Sequence, residues 1–164
     1  MHVLGIDPGI ASTGWGMIDG STNRLTAVAY GTIRTQTDLP LEHRILRITE
    51  EVSSLIAAYT PDAMSIEDIF FLRNVSSAIP VAKVIGSLLH LTSLHEIAFA
   101  CYTPLQIKLA LTGMGKASKA QVEHMVAFIL GLQRGKALNH ASDALAAAVC
   151  HMHTCRGLGG ILQQ

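Results

Sequence analysis

The chain has 164 residues, enough for one domain with a substantial core. Hydrophobic residues make up 49% and charged ones 15%, which excludes a disordered polyelectrolyte, and a formal net charge of zero names no partner. The apolar runs, broken by Lys83, His90 or Thr103, fall short of the roughly 18 residues of a membrane span, and "MHVLGIDPG" has no basic leader region, so a soluble cytoplasmic protein is expected.

In chain order, "HVLGI" is a short apolar strand closed by Asp7 and the turn pair Pro8-Gly9. "TGWGMI" and "RLTAVAYGTIRT" read as two further strands joined by the hairpin turn "DGSTN". From Leu41 to Tyr59, the apolar positions Leu41, Ile45, Ile48, Val52, Leu55 and Ile56 follow a helical period. "TPD" breaks that helix, and "AMSIE" is a fourth strand ending at Glu67. A helix from about Ser77 to Leu94 carries Pro80 in its first turn, where proline is tolerated. "AFACY" is a fifth strand, and two helices follow, about Ser118 to Leu130 and about Asn139 to His151, with "TGMGKA" as the loop before the first. The order β-β-β-α-β-α-β-α-α predicts an α/β domain, a mixed five-stranded sheet with helices on both faces. No repeat or linker divides it, so residues 1–155 are expected to form one domain and 156–164 a short tail.

Charge is unevenly distributed. Residues 1–99 hold six Lys/Arg and ten Asp/Glu, whereas residues 100–164 hold six and two. Lys108, Lys116, Lys119, Arg134 and Lys136 are opposed only by Glu123 over their span, a pattern that suits either a solvated face or a polyanion-binding patch. Three cysteines, Cys101, Cys150 and Cys155, are too few and odd for a disulfide framework. The tail "CHMHTC" lacks the partner motif that would complete a tetrahedral zinc set.

Four residues are candidates for the chemistry. Asp7 and Glu67 stand at the carboxyl ends of the first and fourth strands, where open α/β sheets collect ligands. His140 and Asp143 are three apart, on one face of the last helix's first turn. If the first and fourth strands are neighbours and that helix packs against them, three carboxylates and an imidazole share one cleft. Such a cluster calls for a cation, with oxygen ligands suiting magnesium or manganese. Taken singly, each residue also has a structural use. Asp7 can start a turn, Glu67-Asp68 can be a solvated loop, and His140 and Asp143 can serve a helix cap and dipole.

The blocks "LGIDPGIASTGWGMI", "SIEDIFF", "TGMGKASKAQVEHMV" and "HASDALAAAVCH" together resemble the RuvC-type Holliday junction resolvases of the ribonuclease H-like superfamily, in family order over roughly residues 2–154. The resemblance implies a ribonuclease H-like fold and a structure-selective DNA endonuclease that resolves four-way junctions by paired symmetric nicks. The implied products are a 5′-phosphate and a 3′-hydroxyl, made in homologous recombination and repair. It further implies a catalytic and metal-binding centre of Asp7, Glu67, His140 and Asp143 holding two divalent ions per subunit, with Lys119 assisting. His140 stands where many members have aspartate and others histidine, and an imidazole ligand favours Mn²⁺ over Mg²⁺. Lys108 and Lys119 match family lysines that contact the scissile strand, and Phe70 matches an aromatic at the junction centre. Arg73, Asn74 and Lys116 are the remaining candidate DNA contacts. A homodimer in the bacterial cytoplasm, working with the RuvA and RuvB branch-migration proteins, is implied as well. The alternatives are a related YqgF-type RNA nuclease and a junction-binding protein without catalysis. An actin-like ATPase, which shares the opening motif, needs a second phosphate loop and about twice the length.

Overall fold

A computed structural model describes residues 1–20, 24–68, 75–132 and 139–161, with side chains at 75–77, 139 and 156–161 excepted. Three antiparallel strands open the chain: β1 (His2–Asp7), β2 (Ser12–Asp19) and β3 (Thr26–Arg34). After α1 (Leu41–Tyr59), β4 (Ala63–Glu67) returns to the sheet centre and pairs parallel with β1. Helix α2 (Val75–Leu94) leads to β5 (Ala98–Tyr102), which extends the sheet parallel to β4. Helices α3 (Pro104–Thr112), α4 (Lys119–Leu130) and α5 (Asn139–Ile161) complete the chain. The strand order is β3-β2-β1-β4-β5, the mixed five-stranded sheet expected from the sequence.

Both faces of the sheet are covered. Side chains alternate along β1, so Leu4 and Ile6 join Ile48 and Val52 of α1 and Val84 and Leu88 of α2. Val3 points the other way, into a second core with Ile107 of α3, Val126 of α4 and Leu145 of α5. Among the described residues, no helix is long and apolar enough to cross a membrane.

The structure departs from the sequence reading at two helices. Residues 104–112 form α3, which the apolar pattern does not disclose, because Leu105, Ile107, Leu109 and Leu111 alternate as in a strand. Ile107 and Leu111, four apart, are buried, whereas Leu105 and Leu109 stay exposed. The local chemistry is helical nonetheless. Thr103 accepts from the Gln106 N–H and Gln106 answers its backbone in a capping box, Pro104 opens the first turn, and Gly113 closes the helix at φ 70°. Helix α5 also continues to Ile161, well beyond the expected end near His151. Its closing polar side chains have protein partners: Tyr102 Oη lies 2.9 Å from His151 Nδ1, Cys155 Sγ 3.5 Å from His151 Nε2, and His153 Nδ1 3.0 Å from the Ala110 carbonyl oxygen.

Helix α5 lies unusually close to the sheet. A Cβ placed on Gly5 would overlap the Ala144 carbonyl oxygen, one on Gly14 the His140 carbonyl oxygen, and one on Gly16 the Leu145 side chain. The facing surface of α5 is built of small residues, with Ala141, Ala144, Ala147 and Ala148 buried. Ser65 Oγ of β4 donates to the Ala147 carbonyl oxygen at 2.7 Å, fixing the helix along the strand direction. Replacing Gly5 by alanine forces helix and sheet apart, and overpacking of this kind costs about 3 kcal/mol. Urea unfolding of Gly5→Ala is expected to show that loss, and a midpoint equal to wild type would mean the helix–sheet spacing is not fixed by glycine.

Candidate active site

The pairing of β1 with β4 runs from Val3 opposite Ala63 to Ile6 opposite Ile66, so the next residues, Asp7 and Glu67, end adjacent strands side by side. Antiparallel pairing sets Asp7 opposite Gly14 on β2. Because residue 14 has no side chain, the first turn of α5 settles onto this spot and brings His140 to Asp7, Nδ1 to Oδ2 at 3.3 Å. One turn along, Asp143 receives Lys119 Nζ on Oδ2 at 2.7 Å. The four sequence-predicted residues of the centre, Asp7, Glu67, His140 and Asp143, therefore meet at one end of the sheet, and Lys119 joins them.

Lys119 is the first residue of α4, which is capped by Ser118 and Gln121 and has no acidic residue in its first turn. A cation at a helix N-terminus opposes the helix dipole. The contact with Asp143 offsets that cost and raises the ammonium pKa, with the hydrogen bond that Lys119 donates to Asp143 as the largest cause. Glu67, Lys108, Lys119 and Asp143 line a cleft of about 290 Å³ with Pro104, Ile107, Val122 and Ala146. Lys108 thus faces the carboxylates from α3. Lys119 also borders a second groove of about 490 Å³, where it and His140 are joined by Arg34, Ala11, Ser12 and Glu123. None of these four was marked by the sequence; only strand pairing carries the end of β3 here, with Arg34 opposite Ser12. Lys116 is exposed in the loop before α4 and is not among the described residues of either space. Phe70, Arg73 and Asn74 lie outside the described residues.

The acids strain one another. Burial pushes the Glu67 carboxyl up, and the charges of Asp7 and Asp143 push it further, to about 7, against the lowering effect of Lys119 and Lys108. Asp7 is raised for the same reasons, burial first and then the charge of Asp143, with His140 and Lys119 acting against the rise. Among the described residues, no group of three or more His, Cys, Asp or Glu is already gathered in a metal-holding arrangement. Lys119 occupies an Asp143 oxygen for which a metal ion would compete. The donor set nevertheless fits a hard divalent cation: three carboxylates whose mutual repulsion a cation would relieve, with an imidazole at the edge.

The family model described as "Crossover junction endodeoxyribonuclease RuvC" matches residues 3–151. The protein of that name from Syntrophomonas wolfei is 46% identical over 156 residues, which cover 95% of this chain and 91% of the relative. Its counterpart from Desulforamulus reducens is 40% identical, with 98% of each chain covered. A solved structure described as T. thermophilus RuvC in complex with Holliday junction substrate superposes with a TM-score of 0.90 at 32% identity over 96% of each chain.

The raised acids give the metal-free protein a characteristic pH dependence. Glu67 rises from 4.5 to about 7 on folding, so the folded state holds its proton more tightly than the unfolded chain. Stability from this group is full below the unfolded value and is lost as pH rises through about 7. With solvent screening, the loss is on the order of 2 kcal/mol. Urea unfolding in chelator is expected to show wild type losing stability between pH 5 and pH 8, and Glu67→Gln losing less. Equal losses in both proteins would remove Glu67 as the source.

Proposed function

This chain belongs to the RuvC family of crossover junction endodeoxyribonucleases, and so is a nuclease; we propose that it resolves four-way DNA junctions by paired symmetric nicks at the cleft of Asp7, Glu67, His140 and Asp143. The observation that carries the reading is a cleft in which Glu67 and Asp143 meet Lys119 and Lys108, with the Asp7 carboxylate close enough to act on Glu67. Neither part suffices alone: clustered acids repel a phosphate, and the lysines alone would bind one without cutting it.

Family membership implies catalysis dependent on divalent metal. Asp7, Glu67, Asp143 and His140 would hold two such ions, which when bound activate water and stabilise the leaving 3′-oxygen. The chain's own groups do the rest. Lys108 from α3 and Lys119 from α4, which line the cleft with the acids, position the strand by its phosphates. On release from Asp143, the Lys119 ammonium can turn to a non-bridging phosphate oxygen and stabilise charge developing there. With Asp7 ionised, His140 Nδ1–H donates to its Oδ2 and fixes that carboxylate's orientation. Attack on phosphorus with departure of the 3′-oxygen leaves a 5′-phosphate and a 3′-hydroxyl, ends that can be rejoined, which suits a role in homologous recombination and repair.

Two cuts per junction call for two copies of the cleft, and a twofold homodimer is the simplest arrangement. Helix α2 supports it: Val84, Leu88 and Leu91 are buried in the core while Ile79 and Leu89 remain 51% and 46% exposed. Phe70, Arg73 and Asn74, which come after β4 in the sequence, belong to the proposed junction contacts, as does Lys116. Cooperation with the RuvA and RuvB branch-migration proteins completes the reading.

Binding and cutting are expected to separate. Asp143→Asn and Glu67→Gln should each abolish nicking of a synthetic four-way junction while leaving binding within a few fold, because lysine–phosphate contacts supply most of the affinity. Sequence-matched duplex and RNA serve as controls. Junction binding without metal-dependent nicking by wild type would mark a non-catalytic binder, and a preference for RNA would mark an RNA nuclease.

The imidazole at position 140 sets the expected metal preference. Histidine in place of aspartate removes one negative charge and offers nitrogen, which Mn²⁺ accepts more readily than Mg²⁺. Cleavage rates measured in each metal should favour Mn²⁺ for wild type and shift toward Mg²⁺ in His140→Asp. An unchanged Mn²⁺/Mg²⁺ ratio would show that His140 is no ligand.

A further inference from the structure

The acids and the two lysines account for one side of the cleft; the groove beyond them is unexplained. It runs past Lys119 and His140 and is walled by Arg34, Ala11, Ser12 and Glu123. Arg34 is the last residue of β3 and exposed, and among the described residues its guanidinium forms no hydrogen bond or ion pair. Its backbone, by contrast, is well anchored. Arg34 pairs with Ser12, and the following residue, Thr35, donates its N–H to the Ala11 carbonyl at 3.2 Å and its hydroxyl to the Ile10 carbonyl. Arg44 Nε then donates to Thr35 Oγ1 at 2.9 Å. An arginine on a fixed strand end, with its guanidinium uncommitted at the mouth of an acid-lined cleft, is placed to take an anion from outside.

We propose that Arg34, with Ser12 opposite, holds a phosphate of the cleaved strand on the far side of the active site from Lys108. The strand then runs from Lys108 over the carboxylates and Lys119 to Arg34, so that cations grip it on both sides of the scissile bond. Arginine suits this end because its planar fork can donate two hydrogen bonds to one phosphate, fixing its orientation as well as its distance. The neighbouring Glu123 carboxylate repels phosphate, which confines the strand to the Arg34 side of the groove. Arg34 in this role is a positioning residue, and the inference rests on the nuclease reading above.

The test combines Arg34 variants with junctions in which single phosphates of the cleaved strand are replaced by neutral methylphosphonates. Arg34→Ala is expected to weaken junction binding about tenfold, the typical scale of a charge-assisted hydrogen bond. The slope of log affinity against log salt should fall by about 0.9, the value for one phosphate contact. Arg34→Lys should recover the salt slope but only part of the cleavage rate, since it keeps the charge and loses the fork. One neutralised position near the cut should weaken wild type and have no further effect on Arg34→Ala. If Arg34→Ala binds and cuts like wild type, or if it stays as sensitive as wild type at every phosphate, the inference is overturned while the nuclease reading stands. A wild-type protein that leaves the junction intact overturns both.

Discussion

Everything at the active end of this fold depends on how closely α5 can approach β1 and β2. Glycine at positions 5, 14 and 16 leaves room for the helix backbone, and the alanines of α5 supply a matching flat surface. A helix packed at ordinary side-chain distance would carry His140 and Asp143 away from Asp7. The close contact also removes freedom along the strand direction, because Ser65 Oγ is bonded to one carbonyl of α5. The small residues that make this helix look featureless in the sequence are thus what aim its two polar side chains.

The cluster built this way is electrostatically unfavourable on its own. Asp7 and Glu67 are partly buried, which raises the proton affinity of both; the charge of Asp143 adds to each, and that of Asp7 adds to Glu67. Lys119 is held against the dipole of its own helix by Asp143 alone among the described ion pairs. Stability is given up at these positions to hold the acids together, as the proposed metal-dependent nuclease site requires. The fold tolerates the loss because both faces of the sheet are covered by separate apolar cores, neither of which includes the charged groups.

Much of this was legible without coordinates. The period of Leu41, Ile45, Ile48, Val52, Leu55 and Ile56 matches α1 from end to end, and Ile48, Val52 and Ile56 are its buried stripe. The strands were visible as short apolar runs, and their order with the helices gave the sheet its mixed character. Helix α3 escaped because an alternating run of leucine and isoleucine serves a strand as well as a short helix with one buried stripe. Its capping residues, Thr103, Pro104, Gln106 and Gly113, carried the missing information.

Sequence by itself determined which residues are candidates for the chemistry: carboxylates placed where strands end, an imidazole and a carboxylate one turn apart, and lysines crowded into the second half of the chain. These follow from local rules, since strand ends and helical spacing are set by neighbours along the chain. Only the tertiary structure decided that β1 and β4 lie side by side, that glycine-lined strands admit α5, and that Arg34 faces the same groove as His140. The reason is physical: strand pairing and helix–sheet distance join residues as far apart as Asp7 and His140, and no local pattern encodes a contact across such a separation.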